Sequence, residues 1–110
     1  IYGVGANYRY SSGATVADGI RVKHPGDLTQ PVIDRHVHDL VRVDEDAIED
    51  AVSDLMQTSH VVAEGAGAVG LAALTKSLLR FTPGTHVVLV LSGGNIDAER
   101  MRHVLLHRVT

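Results

Sequence analysis

The stretch that decides the fold class is HVVLVLSGGN, at residues 86–95. Residues 86–91 form a continuous apolar run rich in β-branched side chains, and it is too short for a helix of ordinary length. The run ends directly in a turn that contains Gly93 and Gly94. This combination is typical of a strand in a parallel sheet that is covered on both faces.

Helical patterns lie on both sides of this strand. Asp44 is expected to cap a helix, because acidic residues follow it where the helix dipole favours them. Asp97 is expected to cap the last helix in the same way, and Thr29 to cap an earlier one with Pro31 in its first turn. In chain order the predicted elements are strand 1–4, helix 29–40, strand 40–43, helix 44–58, helix 65–79, strand 86–91 and helix 97–107. Alternating strands and helices predict the α/β class, with a mostly parallel sheet flanked by helices.

Composition excludes several classes of function. The 110 residues are enough for one small domain, and with 45% apolar but 4% aromatic residues its core must be aliphatic. A net charge of −3 without a basic stripe argues against nucleic-acid binding. No apolar run approaches the roughly 18 residues of a membrane span. The chain has no cysteine, which excludes thiol catalysis and fits a cytoplasmic location.

Two places along the chain are candidates for a binding site. Ligands of parallel α/β sheets bind beyond the carboxyl ends of strands, where Ser92 and Gly93 offer a hydroxyl and bare backbone. The alternative is a turn that only joins a strand to a helix. Glu64 lies between an apolar run and a glycine cluster, where a carboxylate is costly to bury without a partner. It is either a helix N-cap or a site residue.

Two other motifs have simpler explanations. GAGAVG at residues 65–70 fits the dinucleotide fingerprint, but no acidic residue for a ribose follows Glu64 before Asp97. Its small residues therefore indicate close helix packing. Four histidines form two pairs, and both pairs are expected to be solvated surface residues, not metal ligands: His36 and His38, His103 and His107.

Three segments together resemble one family. They are TVADGI at 15–20 with VKHPG at 22–26, then VAEGAGA at 62–68, then LVLSGGNID at 89–97. In this order they are similar to serine/threonine dehydratases (threonine ammonia-lyases) and serine racemases, which are pyridoxal-phosphate-dependent enzymes. The match covers 15–108, whereas residues 1–14 fit poorly. It implies a fold like that of the tryptophan synthase β subunit (fold type II), with residues 1–110 as a C-terminal part of the large catalytic domain.

The resemblance also implies a chemistry. Such enzymes use pyridoxal 5'-phosphate to remove the α-proton and β-hydroxyl of L-threonine or L-serine, and the product hydrolyses to a 2-keto acid and ammonia. By carry-over, Ser92 hydrogen-bonds the pyridine nitrogen, Gly93 adjoins it, and Glu64 helps to order the site. Asp18 matches a family segment near the site, but its chemistry suggests no role.

Departures from the family pattern limit this interpretation. In the family the lysine that forms the Schiff base and the phosphate-binding loop lie upstream, whereas Lys23 and Lys76 stand in other contexts. We therefore assign no catalytic residue here and expect the chain alone to be inactive. Gly5 stands where the family usually has Glu, a metal ligand in some members, so no metal site is assigned. The chain begins at Ile1 without a Met, which we expect of a piece of a longer enzyme.

Alternatives stay open within and outside the family. The chain could belong to a serine racemase or another hydroxy-amino-acid lyase, or be a non-catalytic α/β module that binds a ligand or a partner. The expected partners are an amino-acid substrate, the rest of the same enzyme and further copies in a homo-oligomer. The resemblance implies a place in amino-acid metabolism, such as isoleucine biosynthesis.

Overall fold

A computed structural model describes residues 14–24 and 26–107 of the chain. This part contains a 3-10 turn, Asp18–Ile20, and four helices. The helices are α1 (Thr29–His36), α2 (Glu45–Thr58), α3 (Gly65–Thr75) and α4 (Ala98–His107). The strand predicted at residues 1–4 lies outside the described residues.

Helix α2 is the centre of the packing, and its start is the one predicted. The Asp44 side chain accepts a hydrogen bond from the backbone N of Ala47 at 2.8 Å, so Asp44 is its N-cap. Helical spacing predicts an apolar stripe on α2, and this stripe is buried except for Met56, which is half-buried. Its members are Ala47, Ile48, Ala51, Val52, Leu55 and Met56. Ser53 is also buried, and its hydroxyl is satisfied by the Gln57 side-chain amide at 2.7 Å.

The core lies between α2, α3 and α4 and is aliphatic, as composition predicted. Val52 of α2 and Val104 of α4 are fully buried, and alanines of α2 and α3 fill the space around them. Val16 and Ala17, just before the 3-10 turn, complete the cluster. In the described part of the chain, no helix combines the length and the apolar character that crossing a membrane requires.

Two helices end earlier than their patterns predicted. Helix α1 ends at His36, not near residue 40, and Leu28 stands at its N-cap position in place of Thr29. Helix α3 ends at Thr75, not near residue 79. Its end is set by Ser77, whose φ of 55° lies in the left-handed region and terminates the helix.

The predicted parallel sheet is not confirmed, because the described residues contain helices and the 3-10 turn but no β-strand. The expectation that residues 86–91 are covered on both faces is not confirmed either, since Val88 is 88% exposed and Val90 77% exposed in this chain. Residues 40–43 also form no strand. A strand needs backbone partners, and those partners are distant in sequence. One such contact is made: the N–H of Glu64 donates to the carbonyl of Gly93 at 3.0 Å.

Candidate functional site

The segments around Glu64 and Ser92 meet in space. Glu64 stands at the N-cap position of α3, but its side chain makes no capping hydrogen bond. The half-buried carboxylate lies instead against Gly93, where it would collide with any added side chain. The backbone of Glu64 is joined to the same glycine by the 3.0 Å hydrogen bond. Glu64 was expected to be either a helix N-cap or a site residue. It occupies the N-cap position of α3, but its side chain does not cap the helix.

Two glycines form the walls of the slot that holds this carboxylate. A Cβ added at Gly93 would lie 2.7 Å from Cδ of Glu64. A Cβ added at Gly19 would lie 3.2 Å from Oε1 of Glu64 and 3.1 Å from the methyl carbon of Ala66. The glycine of the 3-10 turn and the glycine after Ser92 thus approach the carboxylate from different parts of the chain. We call this arrangement of Gly19, Glu64 and Gly93 the glycine slot.

The first turn of α3 packs closely on the backbone of both neighbouring segments. A Cβ added at Gly67 would lie 2.7 Å from the carbonyl oxygen of Gly93, and one added at Gly65 would collide with the carbonyl of Val16. Gly94 stands just as close to Val62, with 2.8 Å from an added Cβ to the carbonyl oxygen. These contacts agree with the close-packing interpretation of the small residues. The glycines are needed because a side chain would collide with the neighbouring backbone, and this requirement involves no phosphate group.

Ser92 stands at the edge of this arrangement. It is exposed, and no residue in the described part of the chain hydrogen-bonds its hydroxyl. Gly93, the next residue, is in close contact with both Glu64 and Gly67. The structure therefore brings Ser92, Gly93 and Glu64 together, with the serine hydroxyl available to a ligand.

One ion pair beside the glycine slot was not predicted from the sequence. Nη1 of Arg100, in the first turn of α4, donates to Oδ2 of Asp18 in the 3-10 turn at 2.9 Å. The hydrogen bond from Arg100 holds the pKa of Asp18 below its ordinary value, and the same bond raises the pKa of Arg100. No sequence periodicity can predict a contact between residues 82 positions apart. The sequence pointed only to Asp18, because it lies in a segment that resembles the family.

The remaining polar groups do not converge on the slot. His103 and His107 lie on the surface as expected, yet both face Glu49 of α2, at 3.4 Å and 3.5 Å. Among residues 14–24 and 26–107, no three His, Asp or Glu side chains cluster as metal ligands. An open cleft of about 490 Å³ is lined by residues that include Glu45, Glu49, Arg100 and His103, but by none of Glu64, Ser92 and Gly93. Ligand sites are largely enclosed by protein, and this cleft is open, so it is a weaker candidate for a binding site than the contact of Glu64 with Gly93.

Known proteins are similar to this chain in sequence and in fold. The family described as "Pyridoxal-phosphate dependent enzyme" matches residues 2–93. An L-threonine ammonia-lyase of Thermotoga maritima is 46% identical over 91 residues, and a catabolic L-threonine dehydratase of Staphylococcus aureus is 40% identical over 96 residues. A crystal structure of a threonine deaminase from T.th. superposes with a TM-score of 0.71 at 33% identity, over 79% of this chain and 31% of that one.

The alignments cover most of this chain but only a small part of each relative. The alignments include 83% and 86% of this chain but only 22% and 28% of the lengths of the Thermotoga and Staphylococcus proteins. The chain thus corresponds to about a quarter of these enzymes. The family match, in contrast, takes in most of the chain, from residue 2 through Gly93 in the loop after Ser92. On that match, the chain belongs to the family of pyridoxal-phosphate-dependent enzymes.

Proposed function

We propose that this chain is part of a pyridoxal-phosphate-dependent lyase that converts L-threonine, and L-serine, to a 2-keto acid and ammonia. The observation that carries the proposal is the contact of Glu64 with Gly93, the residue that follows Ser92, because it joins two segments far apart in sequence. The names of the relatives, a threonine ammonia-lyase, a threonine dehydratase and a threonine deaminase, support the lyase over the racemase and over a non-catalytic module.

The residues present fit the cofactor. Ser92 offers an exposed hydroxyl, and beside it Gly93 and Gly94 present backbone without side chains. Glu64 supplies a half-buried carboxylate on the inner side of the same loop. The missing side chains of Gly93 and Gly94 let the loop pack on Glu64 and on the carbonyl of Val62, so the exposed hydroxyl of Ser92 is the group of this loop that can meet a polar ring atom. We infer that Ser92, Gly93 and Glu64 are the part of the cofactor site that this chain contributes.

Each residue then has a distinct task. When bound, the cofactor supplies a pyridine ring that withdraws electrons from the α-carbon of the amino acid. Ser92 donates a hydrogen bond to the ring nitrogen; unlike a carboxylate, a hydroxyl leaves that nitrogen largely unprotonated. The resulting weaker electron withdrawal suffices when a β-hydroxyl departs. Glu64 keeps the loop in place through Gly93, so the hydroxyl of Ser92 is held in one position.

The test uses the intact enzyme that contains this chain, with Ser92→Ala. Loss of the hydroxyl leaves the ring nitrogen without its partner, which costs about 1–3 kcal/mol, or roughly 5- to 150-fold in cofactor affinity or turnover. Ser92→Asp should keep the nitrogen protonated and shift the cofactor absorbance band. Affinity is measured by titrating the apoenzyme with pyridoxal phosphate, and turnover by keto-acid release from threonine and serine.

Ser59→Ala is the matched control, because Ser59 is an exposed serine at the end of α2 and outside the slot. It should bind the cofactor as the parent does. If Ser92→Ala also binds and turns over like the parent, the loop is only a connection between two elements. If the parent releases no keto acid from either amino acid, the lyase proposal itself fails.

Further parts of the proposal concern the whole protein. The rest of the same enzyme is expected to cover the exposed side chains of Val88 and Val90, since apolar surface of this kind is usually buried against other protein. The Schiff-base lysine and the phosphate-binding loop would come from there, so this chain alone should show no activity. A cytoplasmic location, a homo-oligomer and a role in isoleucine biosynthesis stay predictions.

A further inference from the structure

The Asp18–Arg100 ion pair connects the two walls of the glycine slot. Asp18 immediately precedes Gly19, one wall of the slot. Arg100 lies in the first turn of α4, and its backbone N donates to the Asp97 side chain at 2.8 Å. Asp97 in turn ends the loop that begins with Ser92 and Gly93, the other wall. The pair therefore links the two segments that carry the walls of the slot.

The rest of the segment around Asp18 is anchored independently of this pair. The N–H of Val16 donates to Oε2 of Glu45 at 2.8 Å, and Gly65 packs on the Val16 carbonyl. Val16 and Ala17 are buried in the core, whereas Asp18 and the two residues after it are exposed. Breaking the pair is therefore expected to affect the position of the exposed turn and to leave the packing of Val16 and Ala17 in the core intact.

We propose that Asp18 and Arg100 are positioning residues, which hold Gly19 and the Ser92 loop at a set separation and so fix the Glu64 carboxylate between them. This role rests on the proposed function, because the effect is transmitted to the cofactor through Glu64 and Gly93. Both side chains are substantially exposed, at 57% for Asp18 and 37% for Arg100. The pair therefore contributes little to the stability of the whole protein, and its effect is confined to the geometry of the slot.

The experiment compares variants of the intact enzyme: Asp18→Asn, Arg100→Met, the double variant, and Arg100→Lys. Each single variant should weaken pyridoxal phosphate binding about two- to fivefold, the scale of an exposed ion pair. The double variant should bind the cofactor no more weakly than either single variant, because both substitutions remove the same contact. Arg100→Lys keeps the charge and should recover part of the affinity. The dissociation constant is measured by absorbance titration of the apoenzyme, alongside its thermal midpoint.

A second ion pair of the chain provides the control. Lys76 contacts Asp50 at 3.2 Å with comparable exposure, but it joins the end of α3 to α2 and not the walls of the slot. Lys76→Met should leave the cofactor affinity unchanged, and the apoenzyme midpoint should move by little in every variant.

The proposal would be overturned by parental affinity in both single variants, by additive losses in the double variant, or by an equal loss in Lys76→Met. A fall in the apoenzyme midpoint that matches the loss of affinity would also overturn it, because it would show a general structural role. If the parent itself does not bind pyridoxal phosphate, the proposed function is what fails, and the positioning role fails with it.

Discussion

Gly67→Ala tests whether α3 truly rests on the backbone of the Ser92 loop. In a helix this substitution alone should stabilise by up to about 1 kcal/mol, because alanine has less backbone freedom to lose. Here the new methyl would lie 2.7 Å from the carbonyl oxygen of Gly93 and 3.2 Å from its nitrogen. Backbone atoms cannot swing aside as a flexible side chain does, so an overpacking cost of about 1–3 kcal/mol opposes the gain. The expected net result is a destabilisation of about 1 kcal/mol.

The same helix contains the matched control. A Cβ added at Gly70 meets only the side chain of Leu89, at 3.5 Å, which is ordinary van der Waals contact. Gly70→Ala should therefore keep the helical gain of up to about 1 kcal/mol. Thermal unfolding of the intact apoenzyme should show the midpoint falling for Gly67→Ala and rising for Gly70→Ala. Cofactor affinity should drop in the first variant only, because Gly93 is displaced. If both midpoints rise equally, the close approach of α3 to Gly93 is refuted.

Two further predictions concern helix ends. Asp44→Ala removes the hydrogen bond to the N–H of Ala47 and should cost about 1 kcal/mol of stability in denaturant unfolding, whereas Asp44→Asn, which can still accept that bond, should cost much less. Ser77→Gly should stabilise by about 1 kcal/mol, because Ser77 has φ of 55° after α3 and glycine adopts it without the Cβ penalty; an unchanged or lower unfolding midpoint would contradict the assignment of a left-handed cap.

Local patterns predicted the elements whose causes are local. Asp44 and Asp97 each accept a hydrogen bond from the backbone three residues on, so the starts of α2 and α4 could be placed from sequence. The stripe of α2 follows from helical periodicity alone. The end of α3 was misplaced, because the apolar pattern continues to Leu79 while the backbone turns at Ser77. Nothing in the residue type of a serine signals a positive φ.

Features that depend on distant partners were not predictable in this way. Residues 86–91 have the composition of a buried strand, yet burial and backbone pairing require neighbours supplied by other segments. The Asp18–Arg100 pair joins two exposed residues whose meeting depends on how α4 returns to the 3-10 turn. The resemblance assigned Ser92, Gly93 and Glu64 to the cofactor site, whereas composition and spacing left the Ser92 turn and Glu64 each with an ordinary structural alternative.

The glycines of this chain show why residue type alone does not identify a binding site. Gly84 has φ of 88° and open space around it, so it is required by its backbone conformation in a turn. Gly67 and Gly93 have no such φ, and each is required because another backbone or a carboxylate occupies the place of its Cβ. Gly70 meets neither condition. Since both Gly67 and Glu64 contact Gly93 closely, a change at either residue reaches Ser92 through a single peptide unit. That geometry is why mutations in α3, which need touch no ligand, are expected to alter cofactor binding.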